Sequence, residues 1–368
     1  MSTETEKTHR VTDAVNQLGW DVITELCAAG APPSRVAVSP LSIAFALAMF
    51  AGGADETKRD EICSKLRLSN CDDMKEVYGD ILRLLKATSD FIPLQAVNAL
   101  FAESTAGILP SYSEYLNHFG AHVHANLPQL AAYVGPMNEA ISQQTTGMIP
   151  NLLSHESLTK SHIVVVNAMV YKAPWLAEFD PNNTTKEFFF TYGVTTEVNM
   201  MYRHGVRMLI AQRRNYTAVR LPYSCGTHSR WSFIAYLPHL GTSVDDIIPP
   251  IRECAIPKWT ETPMRTLGIP RFKMQTTEGI MPVLGQLGYP LLGSFPNIGE
   301  RYTMVDQVIH NVTIIVDEKG TNAATGTAAA MAWTMLEDVP NLVFNRPFAF
   351  SIMEDDLKMA VFSGVFLG

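Results

Sequence analysis

The sequence predicts a mixed fold of the α+β class, with helices concentrated early and strands late. Three observations carry that expectation. Helical patterning fills the first quarter of the chain. Runs of β-branched and aromatic residues, bounded by Pro, Gly, Asn or Asp, follow it. No repeat, low-complexity linker or charge run marks an internal boundary. With 368 residues, 47% of them hydrophobic, the chain can bury a sizeable core.

The elements follow in order. Thr12-Asp13 reads as the cap of a helix from Ala14 to Ala28, with Val15, Leu18, Ile23 and Leu26 apolar. Ser39-Pro40 is a cap and first-turn proline for "LSIAFALAMFAGG", which is apolar on every face and so expected to be buried. Asp55 to Leu66 and Asp73 to Leu85 are more amphipathic. In the second of them Arg83 and Lys86 beside Asp80 and Glu76 read as a solvated face rather than a glycosaminoglycan site. From Leu94 the character changes to strand: "LQAVNALFAES", "SHIVVVNAMVYKA", "SRWSFIAYLP", "HNVTIIVDE", "RPFAFSIME" and "KMAVFSGVFLG". Several are apolar on both faces, as central strands of covered sheets are.

Composition excludes several functions. The formal net charge of −8 argues against a nucleic-acid partner. The opening residues lack a signal-peptide pattern and no segment has the apolar run of a membrane span, so the expectation is a cytoplasmic protein with no membrane partner, with release without a signal peptide or extracellular action as the alternative; a monomer is expected. Cys27, Cys63, Cys71, Cys225 and Cys254 are odd in number with no CxxC pair, which fits reduced thiols. Asn182, Asn183, Asn215 and Asn311 start N-x-S/T triplets that read as chance matches without a secretory route. There is no GxSxG elbow, HExxH, Walker loop or GxGxxG fingerprint. "HFGAHVH" spaces His118, His122 and His124 in a way that could grip a metal, but no nearby carboxylate or thiol completes a set; no metal or other cofactor is expected.

Separated stretches together resemble one family, the serpins, over nearly the whole chain: "VAVSPLSIAFAL", "AGGADETKRDEI", "VNALF", "MNEAISQQTTGMIPNLL", "VVNAMVYKAPWLAEF", "VNMMY", "LPYS", "IPRFK", "VLGQLG", "VIHNVTIIVDEKGTNAATGT" and "VFNRPFAF". The resemblance implies a single domain over residues 1–368, with three β-sheets, eight or nine helices and an exposed reactive loop at about residues 318–340. It also implies an irreversible suicide-substrate inhibitor of serine proteases, not an enzyme. A cysteine protease is an alternative target, and a non-inhibitory serpin acting as a binding protein or chaperone is the alternative function.

Site residues come from the same resemblance. Glu318, Gly320, Thr321, Ala323, Ala324, Thr325 and Thr327 fall on the loop's hinge. Ser39, Ser42, Asn167 and His310 fall on the shutter, a polar cluster under the large sheet, and Trp175 on the breach, where insertion begins. His310 is followed by Asn311-Val312 where Lys-Ala is commoner, and the chain stops at "AVFSGVFLG" without the family's usual tail. A hydrolase built on Ser39 and His310 is rejected, because both sit in apolar surroundings where polar groups serve as each other's partners.

Physics explains the hinge composition. Gly320 to Met335 carries no charge and one aromatic residue, Trp333. When such a loop inserts as a strand, alternate side chains turn to the core; from Thr321 these are Thr321, Ala323, Thr325, Thr327, Ala329 and Met331. A buried unpaired charge would cost several kcal/mol, so a charge-free series keeps insertion fast. An ordinary Ala/Thr-rich loop is the alternative for the stretch taken alone. Counting from Glu318 puts the bait bond at Thr334-Met335, and counting back from "FNRPF" favours Leu336-Glu337. The window Trp333 to Leu336 has no Arg, Lys or Asp, which suits elastase-like or chymotrypsin-like enzymes.

Overall fold

The computed structural model describes residues 4–28, 35–68, 73, 75–79, 81, 94–191, 193–225, 231–253, 257–301, 304–320 and 339–368. The expected bait residues Trp333, Thr334, Met335, Leu336 and Glu337 lie outside the described residues. So do the hinge residues Thr321, Ala323, Ala324, Thr325 and Thr327.

Eight α-helices have defined bounds among the described residues: α1 Glu4–Ala28, α2 Pro40–Gly53, α3 Glu56–Lys65, α4 Pro110–Asn117, α5 Val134–Gln144, α6 His155–Leu158, α7 Val244–Glu253 and α8 Met281–Gln286. Residues 75–79, inside the helix expected after Asp73, are also helical. The first helix starts ten residues before the expected Ala14, because Thr12 is buried within it rather than capping it, and Lys7 in its first turns pairs with Asp73 and Glu76 at 2.5 and 3.2 Å. Ser39 caps α2 as its sequence foretells, accepting from the Ser42 amide, and Asp55 caps α3.

Strands are β1 Arg35–Val38, β2 Leu94–Glu103, β3 His122–Leu127, β4 Ile163–Tyr171, β5 Thr184–Thr191, β6 Val194–Gln212, β7 Tyr216–Pro222, β8 Trp231–Pro238, β9 Thr260–Pro270, β10 Phe272–Gly279, β11 Gln307–Val316, β12 Asn341–Val343, β13 Phe348–Glu354 and β14 Met359–Phe366. All six stretches read as strands in the sequence are strands here. Among the described residues they form two hydrogen-bonded sheets, one five-stranded in the order β10-β11-β4-β2-β3, the other nine-stranded, β1-β14-β13-β8-β7-β6-β9-β12 with β5 on β6. Three sheets were expected. The expected large sheet, which carries Asn167 and His310, is the five-stranded one, and the other two are joined because β6 is 19 residues long, pairing with β5 along its first half and with β7 at its far end, while β9 runs beside it from Met200 to Ile210.

The five-stranded sheet is covered on both faces, which is why its central strand β4 is buried at all nine positions. On one face Val164, Val166, Ala168 and Val170 pack with Met137 and Ile141 of α5. On the other Ile163, Val165, Met169 and Tyr171 join the main core, which holds α2. Asn167 falls on this second face by alternation.

Candidate functional site: the β4–β11 seam and the turn above it

At the middle of the five-stranded sheet β4 and β11 run parallel and in direct contact, registered from Gln307 opposite Val164 to Thr313 opposite Val170. Parallel pairing is the weaker kind per residue. The registered pairs end at Thr313, one residue before β4 itself ends at Tyr171. Ile314, Ile315 and Val316 keep their antiparallel partners on β10, up to Phe272 opposite Val316, and have no registered partner on β4.

Three polar residues stand in one row across this sheet: Asn98 opposite Asn167 on β2 and β4, and Asn167 opposite His310 on β4 and β11. All are buried and face α2. Two hydrogen-bonded groups result. The backbone N–H of Ser39 donates to His310 Nε2 at 3.1 Å, and Ser39 Oγ accepts from the Ser42 amide at 3.2 Å while donating to Met169 Sδ at 2.9 Å. Separately, Asn167 Nδ2 donates to Asn98 Oδ1 at 2.8 Å. Ser39, Ser42 and His310 are thus brought together, whereas Asn167 adjoins His310 in register but bonds to Asn98, a residue the sequence reading missed. Its signal was an amide inside the otherwise apolar run "AVNALF". Several polar atoms on the seam find no partner among the described residues, namely Ser42 Oγ, Asn167 Oδ1, His310 Nδ1, Asn311 Oδ1 and Thr313 Oγ1. Burial pushes the His310 imidazole down from 6.5 to about 3, so the ring is neutral and its accepting Nε2 puts the proton on Nδ1.

The top of the seam is a tight turn. Asp317 and Gly320 bridge one another, and Gly320 also bridges Pro174. Trp175 holds this turn twice: its backbone N–H donates to Lys319 O at 3.0 Å and its indole Nε1 to Asp317 O at 2.9 Å. Its ring lies flat on Tyr223, centroids 4.5 Å apart. Glu318 is buried beside it, its carboxylate accepting from Thr184 Oγ1 at 2.9 Å and facing Arg271 at 3.5 Å, while its carbonyl accepts from the Phe179 amide. Of the predicted hinge and breach residues, Glu318, Gly320 and Trp175 are therefore gathered at one point, just past the ends of β11 and β4.

The other candidate motif does different work. His118 ends α4, and His122 and His124 lie on the edge strand β3, where the His124 ring stacks on Phe101 with centroids 4.8 Å apart. Among the described residues no group of three or more His, Cys, Asp or Glu could hold a metal ion, and no helix is long and apolar enough to cross a membrane.

The family model Serpin (serine protease inhibitor) matches residues 13–367. The chain therefore belongs to the serpin family. It is 28% identical over 353 residues to the corticosteroid-binding globulin of Ovis aries, covering 91% of this chain and 80% of that protein. It is 27% identical over 354 residues to alpha-1-antichymotrypsin of Pongo abelii, covering 90% and 82%. Among solved structures, Arabidopsis AtSerpin1 in its native stressed conformation superposes with a TM-score of 0.87 at 21% identity, over 100% of this chain and 99% of the other.

Proposed function

We propose that this serpin is an irreversible protease inhibitor that works by bait-bond acylation and insertion of its reactive loop between β4 and β11. The observation that carries the reading is the parallel seam between β4 and β11, with a tight turn at Asp317–Gly320 at its end that leads straight into an uncharged stretch. The protease serine Oγ attacks the Thr334 carbonyl, an ester to the enzyme forms, and the Met335 amine leaves. A strand arriving from the Gly320 turn runs antiparallel to both neighbours. It thus replaces one parallel ladder by two antiparallel ones and brings donors and acceptors to a seam that holds unpartnered polar atoms. If insertion outruns hydrolysis of the ester, the enzyme is carried away from its water and trapped.

Ser39, Ser42, Asn167, Asn98 and His310 act in this reading as the shutter that the incoming strand must part, and Trp175 with Gly320 as the point where it starts. The small β-branched Thr334 suits an elastase-like pocket; a cut after Met335 or Leu336 suits a chymotrypsin-like one. The test is reaction with elastase and with chymotrypsin. A denaturant-stable complex releasing a fragment that begins at Met335 is expected. Clean cleavage with no complex overturns the inhibitory reading and leaves the second one, a non-inhibitory binding protein. The likeness to a corticosteroid-binding globulin favours that reading.

A further inference from the structure

The turn at Asp317–Gly320 closes one end of the seam, and a different set of bonds fastens the other. There the side chain of Asp306, the residue before β11, reaches across to the start of β4: Oδ2 accepts from the amides of His162 at 2.7 Å and Ile163 at 2.9 Å. The Asp306 amide in turn donates to Ile163 O at 3.0 Å. Gln307 adds a second arm, its Nε2 donating to Ser157 O at 2.6 Å and Ser161 Oγ at 2.8 Å. All five bonds cross from the start of β11 and the residue before it to the stretch that runs from α6 to the first residue of β4. Two are accepted by a carboxylate, the stronger kind. Glu103 braces the same corner from β2, with Oε2 on His162 Nδ1 at 2.9 Å and Oε1 on the Leu130 amide at 3.1 Å, without touching β11.

We propose that Asp306 and Gln307 form a distal clamp that sets the rate of the last stage of loop insertion; this deepens the inhibitory reading and rests on it. Register supplies the argument. Asp317 faces Gly320 across the turn, so each later loop residue falls opposite one residue earlier in β11. Thr321 meets Val316, Ala329 meets Val308, and Ala330 and Met331 arrive at Gln307 and Asp306. The loop can therefore insert as far as Ala329 by separating ladder bonds and side-chain packing alone. The remaining residues up to the bait carbonyl at Thr334 enter after the clamp opens. An acylated enzyme still tethered at that point has been carried most of the way with its active site unstrained, and hydrolysis there yields cleaved inhibitor and free enzyme. The clamp is thus a partition point between trapping and escape, and it is distinct in place and chemistry from the polar row at the middle of the sheet.

The test compares wild type with Asp306→Ala, with Gln307→Ala, which removes two bonds and keeps the carboxylate, and with Glu103→Gln, which weakens the same corner but spans no seam. Each is reacted with the protease that forms the complex, and the limiting rate of complex formation and the number of inhibitors consumed per enzyme trapped are measured. Both clamp variants should raise the rate, Asp306→Ala by about fivefold, and lower the number consumed, while Glu103→Gln changes neither. Rates equal to wild type in a folded clamp variant overturn the clamp, as does an equal effect from Glu103→Gln, which would make the cause general loosening. Absence of any complex from wild type is a different result and removes the inhibitory reading beneath it.

Discussion

Gly320 meets the Pro174-Trp175 backbone so closely that no side chain fits between them. A Cβ at this position would stand 2.5 Å from Ala173 O and 2.6 Å from Pro174 Cα, and nearer still to Trp175 N, and the residue adopts φ +119°. Gly320→Ala therefore meets both a clash with backbone and a conformation that side chains avoid. We expect a loss of about 2 kcal/mol or more, read as a lower urea midpoint, and a faster onset of loop insertion because the turn is pushed off Trp175.

Thr321→Arg addresses the next residue along. It leaves the bait bond untouched but makes the first inward-facing position of the inserting strand a cation, which slows insertion against deacylation. Most of the protein should then be cleaved as a substrate, seen as loss of the complex band on a denaturing gel with the same cut site. Undiminished complex formation would exclude Thr321 as the first buried position.

Two buried groups tilt stability with pH in opposite directions. His310 is pushed down to about 3 from 6.5, so the unfolded chain takes up its proton first and stability falls as pH drops below about 6.5. Glu354 is pushed up by burial from 4.5 to about 7, so the unfolded chain releases its proton first and stability falls as pH rises from about 4.5 to 7. Between about 4.5 and 6.5 the slopes oppose one another. Glu354→Gln should unmask a loss of stability on acidification, and His310→Gln a loss on raising pH, each approaching about 1.4 kcal/mol per pH unit in denaturant titrations. Parallel pH profiles for the two variants would contradict this.

Cutting the chain between Gly320 and Thr334 is expected to free the loop to join the sheet, most fully when the cut falls near Thr334. The unfolding temperature of the cleaved protein should then rise by tens of degrees over the intact form in a thermal melt. No rise after clean cleavage would point to a non-inhibitory serpin.

How much of this was legible in the sequence depends on the scale of the interaction. Ser39 was readable as a cap, since Ser-Pro before an apolar run has a local mechanism, and the six strands stood out by composition. The start of α1 was misplaced because Thr12 looks like a cap locally; burying it and pairing Lys7 with Asp73 are tertiary effects. Asn98 escaped notice because its partner Asn167 lies 69 residues away, and nothing near either says that β2 and β4 are neighbours. The join of two sheets through β6 was invisible for the same reason. The clamp could not have been read at all, since Asp306 and Gln307 look like any polar pair before a strand until the start of β4 is set beside them.

The parallel pair at the heart of the sheet also has a bearing on how the protein is made. Val164 and its partner Gln307 are separated by roughly 140 residues, and a ribosome adding about 5–20 residues per second leaves β4 waiting on the order of ten seconds for β11 to emerge. Through that interval a nine-residue strand, buried at every position in the finished molecule, has an open hydrogen-bonding edge. When β11 does arrive it brings its own competitor tethered a few residues behind, a segment able to occupy the same edge. The nascent chain is thus in a race it must win in order of synthesis, β11 docking before the stretch after Gly320 is long enough to fill the gap. Slowing translation just after Val316 should favour the active form, and a chaperone that covers the edge of β4 should raise its yield.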